Sequence, residues 1–228
     1  MITPSLSRET TASSPSVRLG ALSLALAGIL FFLYPALRPF SDQAGSQTMQ
    51  AAQAFASPFW VLAHMLGVGG FILLALSLLG LYSVLRPTSV RRLMAVALIL
   101  TWIGVGFTIS YFGAEIFALH AIGQAAISQQ STALLPLVNA VRFGPAIYVF
   151  AVGLLLLGVG PILVAIAVWR SGAISRWSAI LFALGFALYI PQFFGTPIIR
   201  VTHGALVAIG CLWLAWGMLQ SLRRQKTL

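Results

Sequence analysis

The side chains of this 228-residue chain that could do chemistry are few, because only 7% of its residues are charged and three are histidine. An ionisable group inside an apolar sequence is costly to bury, so each one within or beside an apolar stretch is a candidate for a site. Imidazole, carboxylate and guanidinium groups bind metals, cofactors and anionic ligands. The candidate ligand- or cofactor-binding residues are His64, His203, Glu115, His120, Arg200 and Arg142.

Two of these histidines suit a redox centre. Histidine is an axial ligand of haem iron, so His64 and His203 are a candidate pair for haem, with Arg200 or Arg142 near the propionates. The related hypothesis is a transition-metal site formed by His64, His120, His203 and Glu115. No His-Glu-x-x-His or similar spacing motif supports either one. The alternative is that each imidazole hydrogen-bonds a neighbouring helix or faces interfacial water.

A carrier function would use the same acid differently. Glu115 could bind and release a proton beside His120, at the end of the same helix. The charged signature that follows proline in mitochondrial carriers is missing after Pro35 and after Pro191. The chain also has no Gly-x-Ser-x-Gly elbow and no phosphate-binding glycine loop. The leading prediction is therefore a small ligand-binding or accessory membrane protein without catalysis, which works alone or with partner subunits in the membrane.

Long apolar stretches must position these residues, since 60% of the chain is hydrophobic. A helix of about 20 apolar residues crosses the roughly 30 Å hydrocarbon layer of a bilayer. We predict an all-α, polytopic membrane protein in which residues 17–222 form one transmembrane domain. The six predicted transmembrane helices cover residues 17–37, 58–85, 93–119, 143–169, 177–195 and 198–220.

The segments outside these spans are short. Residues 1–16, rich in serine and threonine, are predicted to be a disordered cytoplasmic tail, and residues 223–228 a basic cytoplasmic tail. The connections 38–57 and 120–142 are long enough to hold short interfacial helices. We expect the first of them to form a helix on the surface around Phe55.

The placement of the basic residues predicts the topology. The net charge is +10, and ten of the thirteen lysines and arginines fall in alternate connecting segments. These ten are Arg8, Arg18, Arg86, Arg91, Arg92, Arg170, Arg176, Arg223, Arg224 and Lys226. The positive-inside rule then predicts that both termini are cytoplasmic. The membrane is expected to be the inner (plasma) membrane of the cell. We assign this charge to membrane insertion and to anionic lipid headgroups, not to nucleic acid.

Short matches within the chain suggest a repeated unit of two helices. Pro58 precedes His64 by six residues at the start of the second span, and Pro197 precedes His203 in the same way in the sixth. The odd-numbered spans close with Tyr34-Pro35, Tyr111-Phe112-Gly113 and Tyr189-Ile190-Pro191. Three tandem hairpins would explain these matches. Chance recurrence of common residues is the alternative.

Several segments of the C-terminal part resemble a known kind of protein. They are Arg142-Phe143-Gly144-Pro145, Gly160-Pro161-Ile162-Leu163, Trp169-Arg170-Ser171-Gly172, Arg176-Trp177 and Thr202-His203-Gly204. Across residues 142–224 the chain resembles uncharacterised bacterial multi-pass membrane proteins of a domain-of-unknown-function family. The resemblance implies an inner-membrane protein of about six helices and carries over no functional residue.

Overall fold

The computed structural model of the protein describes residues 14–224, and every regular element in this range is helical. In chain order the elements are α1 (Ser14–Leu37), a 3₁₀ helix (Ser41–Ala44), α2 (Met49–Ala56), α3 (Pro58–Leu85), α4 (Arg91–Ser128), α5 (Pro136–Phe143), α6 (Ala146–Ser171), α7 (Arg176–Ala187), α8 (Tyr189–Gln192) and α9 (Pro197–Arg224). Five of them, α1, α3, α4, α6 and α9, are long and apolar enough to cross a membrane. The all-α prediction is therefore confirmed, with the helices of a polytopic membrane protein.

The prediction of six transmembrane helices is wrong in one place, at residues 177–195. Helix α7 ends at Ala187, and the backbone at Leu188 has φ −86° and ψ 5°, outside the helical region. Pro191 lacks the N–H that would continue the hydrogen-bond ladder, and its ring crowds the carbonyl four residues earlier. The 12 residues of α7 span about 18 Å at 1.5 Å per residue, less than the roughly 30 Å of a bilayer core. The fifth predicted segment is therefore an interrupted helix, α7 followed by α8.

The helices form a ring in chain order. Helix α1 packs against α3, α3 against α4, α4 against α6, α6 against α7, α7 against α9, and α9 against α1. Aromatic side chains from several helices meet inside this ring: Phe31 of α1 lies 4.9 Å from Phe71 of α3, and Phe71 lies 5.8 Å from Tyr189 of α8, between ring centroids. Phe112 and Phe150 extend the same layer toward α4 and α6. The centre of the ring is thus filled by an aromatic layer.

Glycines allow the closest helix contacts. A Cβ atom on Gly80 of α3 would lie 2.7 Å from the Cα of Gly20 in α1, and 2.8 Å from the carbonyl oxygen of Ser16. A Cβ atom on Gly104 of α4 would lie 2.9 Å from the carbonyl oxygen of Gly153 in α6. Inside a membrane the hydrophobic effect does not drive helices together. Close van der Waals packing of this kind therefore stabilises their association.

A second, smaller core lies beyond one end of the ring. Helix α4 continues to Ser128, past the predicted limit at residue 119, and its last turns pack against α2. The buried residues here are Ala51, Ala52, Phe55, Trp60, Leu119, Ala126, Leu135 and Val138. Helix α2 confirms the helix expected in the connection 38–57. It is buried against α4, however, because Gly123 leaves room for the side chain of Phe55.

The predicted tails are only partly described. Helix α1 begins at Ser14, so the last three residues of the segment predicted as the tail 1–16 are helical. Residues 1–13 of that tail, and residues 225–228 of the predicted basic tail, lie outside the described residues.

Candidate functional site

The charged residues lie at the two ends of the ring of helices. One end, which we call the arginine-rich end, is formed by Arg18, Arg86, Arg91, Arg92, Arg170, Arg176, Arg223 and Arg224. The other, which we call the polar end, holds Arg38, Asp42, Glu115, Arg142 and Arg200. Asp42 and Glu115 are the two acids among residues 14–224, and both are at the polar end. The candidate site is therefore at the polar end.

Asp42 is the centre of an ion-pair network at this end. Its Oδ2 accepts hydrogen bonds from Nη2 of Arg38 at 2.8 Å and from Nη2 of Arg142 at 2.9 Å. Arg142 also donates from Nε to Oε1 of Glu115 at 3.0 Å. The network joins the end of α1 and the neighbouring 3₁₀ helix to α4 and α5, which come much later in the sequence. Asp42 is 5% exposed and Arg38 is 7% exposed, so these charges depend on each other for compensation.

The pairing keeps the network charged. Burial opposes ionisation of Asp42, but the nearby guanidinium groups of Arg38 and Arg142 outweigh it and hold the pKa of this carboxyl below its ordinary value. Burial also opposes the charge on Arg142. The carboxylates of Glu115 and Asp42 more than offset this effect and raise the pKa of Arg142. Both groups therefore remain ionised at neutral pH.

Aromatic faces complete the surroundings of the network. The guanidinium carbon of Arg38 lies 4.8 Å from the ring centroid of Trp60, and that of Arg142 lies 5.6 Å from it. Trp60 is fully buried, and its indole N–H donates to the carbonyl oxygen of Glu115 at 3.4 Å. Cation–π contacts of this kind are strongest where water is excluded. The first turn of α3 thus supports both arginines.

Arg200 belongs to the same end but has different partners. Its Nη2 donates to the carbonyl oxygen of Phe193 at 2.6 Å. With the amide of Gln43 oriented to present its oxygen, that oxygen accepts from Nε at 2.9 Å and from Nη2 at 3.1 Å. Both partners are neutral, and no acid among residues 14–224 forms an ion pair with Arg200. Three arginines and two acids at this end leave one positive charge uncompensated, on Arg200.

A cavity of about 740 Å³ lies against these charges, between α5–α6 and α8–α9. Its polar side is formed by Tyr34, Arg38, Asp42, Glu115, Arg142 and Arg200. Its apolar side is formed by Ile147, Phe150, Leu154, Ile190, Phe193 and Phe194. The interruption between α7 and α9 leaves only the four-residue α8 and a short turn on one side of the cavity. The arrangement suits a ligand with one charged end and one apolar end.

Two of the three histidines bind neighbouring helices. Nδ1 of His120 lies 2.8 Å from the carbonyl oxygen of Phe55 in α2, and Nε2 of His203 lies 2.7 Å from the carbonyl oxygen of Gly185 in α7. Each of these ring nitrogens carries the proton, since a carbonyl oxygen only accepts. Both contacts are the helix-packing hydrogen bonds that were the alternative to a ligand site.

His64 is fully buried among rings. Its Nδ1 lies 2.7 Å from the carbonyl oxygen of Trp60 one turn earlier, and its Nε2 has no hydrogen-bond partner. The ring centroids of Tyr34, Trp60 and Phe112 lie 5.1, 4.2 and 5.8 Å away. Trp60 and His64, four residues apart, therefore contact each other on one face of α3.

The three histidines have separate hydrogen-bond partners in the described part of the chain. His64 packs on Tyr34 and His203 packs on Tyr189, so the two share no ring partner in the described part of the chain. Within residues 14–224 no group of three or more His, Cys, Asp or Glu side chains is placed to hold a metal ion. A Cβ atom on Gly204 would lie 2.8 Å from Pro35, so this glycine allows α9 to approach α1 closely. The haem and metal hypotheses stay predictions.

The sequence located part of this site. Glu115, Arg142 and Arg200 were predicted and lie on one cavity, whereas His64 and His120 lie outside it. His203 borders a separate void of about 10 Å³ beside Arg200, room for roughly one water molecule. Asp42, the centre of the network, was missed. Its spacing of four residues from Arg38 is the signal that could have found it, because opposite charges this close in sequence can pair, here across the break between α1 and the 3₁₀ helix.

Comparisons of the chain with protein-family models, with curated proteins and with solved structures yield no match. The resemblance to uncharacterised bacterial multi-pass membrane proteins therefore stays a prediction.

Proposed function

We propose that the protein is a multi-pass plasma-membrane protein that binds a small ligand, without catalysis, in the cavity at its polar end. The observation that carries this proposal is the 740 Å³ cavity, which has charged side chains on one side and apolar side chains on the other. Small-molecule sites have volumes of about 300–1,000 Å³ and combine an apolar lining with a few converging polar groups. Partner subunits in the membrane are compatible with this role.

We propose further that the polar end faces away from the cytoplasm and that both termini are cytoplasmic. The arginine-rich end has eight exposed arginines, whereas the three arginines of the polar end are at least partly buried. Cytoplasmic segments of membrane proteins carry the excess of arginine and lysine, which supports this orientation.

The orientation can be tested by cysteine labelling. Cys211 is buried in α9 and is the single cysteine of the chain. In a Cys211→Ala background, a cysteine at the exposed Gln129 is expected to react with a membrane-impermeant maleimide in intact cells. Labelling only after the cells are opened would contradict the proposed orientation.

Ligand binding can be tested by filling the cavity. Ala151 lies on the cavity wall, whereas Val152 is 45% exposed on the outside of the same helix. We expect at least one member of a panel of cationic, neutral and anionic amphiphiles to raise the unfolding temperature of the native protein, because a ligand that binds only the folded state stabilises it. Ala151→Trp should remove this effect, and Val152→Trp should retain it. The proposal would be contradicted if Ala151→Trp left binding unchanged, or if none of the compounds bound.

A carrier is the second candidate function, favoured by the shape of the cavity. Phe150 lies on the cavity wall and contacts Phe112 of the aromatic layer, so the layer closes the cavity toward the arginine-rich end. A site open toward one side is the form expected of one state of a transporter. If Glu115 couples such transport to protons, Glu115→Gln will abolish pH-driven uptake of the ligand into vesicles. Unchanged uptake would exclude this role for the acid.

A further inference from the structure

The charge balance of the cavity points to an anionic ligand. Arg38 and Arg142 are compensated by Asp42 and Glu115 through three ion pairs of 2.8 to 3.0 Å. Arg200 adds a positive charge whose described partners, Gln43 and Phe193, are neutral. Holding one uncompensated charge in a partly buried site is costly, and one bound anion would remove that cost. The expected ligand charge is therefore a single negative one.

The opposite side of the cavity points to an alkyl chain. Ile147, Phe150 and Leu154 follow one another at spacings of three and four residues along α6, which aligns them on one face of the helix. Phe194, on the turn after α8, is 88% exposed at the edge of the cavity. An apolar row of this kind, beside the interruption between α7 and α9, gives an alkyl chain both a surface and an entry from the lipid.

These two sides together define the ligand class. We propose that the cavity binds a single-chain amphiphile with one negative charge, with its head on the guanidinium of Arg200 and its alkyl chain along α6. This inference rests on the proposed ligand site and names its ligand. A fatty carboxylate and a lysolipid with a monoanionic phosphodiester share this chemistry. Arg200 accepts either head group, because its donors match carboxylate and phosphate oxygens in a planar fork.

Binding of defined amphiphiles to the full-length protein in a neutral maltoside detergent tests the proposal. Dodecanoate and lysophosphatidylglycerol are the two anionic probes, and their relative affinity tells a free fatty acid from a lipid headgroup. Acetate and glycerophosphoglycerol are the matched probes without the chain. Dodecyltrimethylammonium is the matched probe with the opposite charge. We expect at least one anionic amphiphile to bind more than about tenfold tighter than its chainless counterpart and than the cation.

Substitutions of Arg200 assign the head group. Arg200→Gln should weaken binding of the anionic amphiphile about tenfold to a hundredfold, the usual effect of removing a charged hydrogen-bond partner. Arg200→Lys keeps the charge and should retain part of the affinity. Arg91→Gln removes an exposed charge at the arginine-rich end and should change nothing. The unfolding temperature of each variant, measured without ligand, checks that it is folded.

The outcomes separate this inference from the proposed function. Equal binding of anion and cation, or unchanged binding by a folded Arg200→Gln variant, would overturn the inference. If a neutral or cationic amphiphile binds and Ala151→Trp blocks it, the ligand site stands and only the ligand class is wrong. If no amphiphile of any charge binds, both proposals fail.

Discussion

The two ends of the helix ring use arginine in opposite ways. At the arginine-rich end all eight arginines are exposed, and Arg176 and Arg223 lie over the rings of Trp169 and Trp216. At the polar end Arg38 and Arg142 are withdrawn from solvent and share one carboxylate. The first arrangement suits charges that set orientation in the membrane, and the second suits charges that hold the fold together.

The ends also differ in what joins their helices. Near the arginine-rich end, α1 and α3 meet backbone to backbone at Gly20 and Gly80. At the polar end, separate elements are joined through Asp42. We therefore expect the position of a charge relative to the bundle, and not its residue type, to decide whether its removal destabilises the protein.

Removing the central carboxylate should give the largest effect. Asp42→Asn leaves Arg38 and Arg142 close together without the anion between them, and breaking a buried ion pair in this way costs about 3–5 kcal/mol. The buried thiol of Cys211 reports unfolding when it becomes accessible to a thiol-reactive dye. We expect a marked drop in unfolding temperature in detergent. A shift of less than a degree would mean that the network does not hold this end.

Adding one methyl group at the glycine contact should have the next largest effect. A Cβ atom at Gly80 would lie 2.7 Å from backbone, so Gly80→Ala must push α1 and α3 apart, at a cost of about 1–3 kcal/mol. Gly106 has nothing within 4 Å of its added Cβ atom, which makes Gly106→Ala the matched control. Thermal unfolding of both variants measures the difference. Equal stabilities would contradict the close contact.

Acid should weaken the polar end selectively. The folded pKa of Asp42 lies below its ordinary value of 3.8, so its contribution to the free energy of unfolding is present above that value. It is lost as the pH falls through the folded pKa, because the unfolded chain then gains the proton more readily. The native protein should therefore lose stability below about pH 4 more steeply than Asp42→Asn. Parallel pH profiles of the two proteins would count against this assignment.

Neutralising exposed arginines should have the smallest effect on stability. Arg91 and Arg92 are both exposed at the start of α4. Replacing both by glutamine should change the free energy of unfolding by less than about 0.5 kcal/mol, as surface substitutions usually do. The same variant should insert with a larger share of inverted molecules, because two of the three arginines of that connection are removed and only Arg86 remains. Impermeant labelling at residue 129 measures the orientation, and a strongly destabilised variant would remove the contrast between the ends.

The sequence predicted the long helices because hydrocarbon thickness sets their length. It did not predict the end of α7 at Ala187, since Pro35 and Pro161 lie inside α1 and α6 and proline alone does not decide a break. The extension of α4 to Ser128 was also missed. Its support comes from α2, through a contact between Gly123 and Phe55 that no local pattern reveals.

The candidate site was also predicted only in part. Glu115 and Arg142 were selected because ionisable groups near apolar stretches are rare, and the structure pairs them. Asp42 was passed over because it lies in a connecting segment, where an acid is ordinary. Its role arises from Arg142, 100 residues away, and such a separation is visible only in the folded chain.

A double-mutant cycle between Asp42 and Arg142 tests the contrast between the two ends most directly. The free energies of unfolding of the native protein, Asp42→Asn, Arg142→Gln and the double variant would be measured by titration with a denaturing detergent. Because each single substitution removes one ion-pair partner of the other residue, we predict a coupling energy of about 1–3 kcal/mol. Effects that add within about 0.5 kcal/mol would show that the two residues do not act together, and would contradict the account of the polar end.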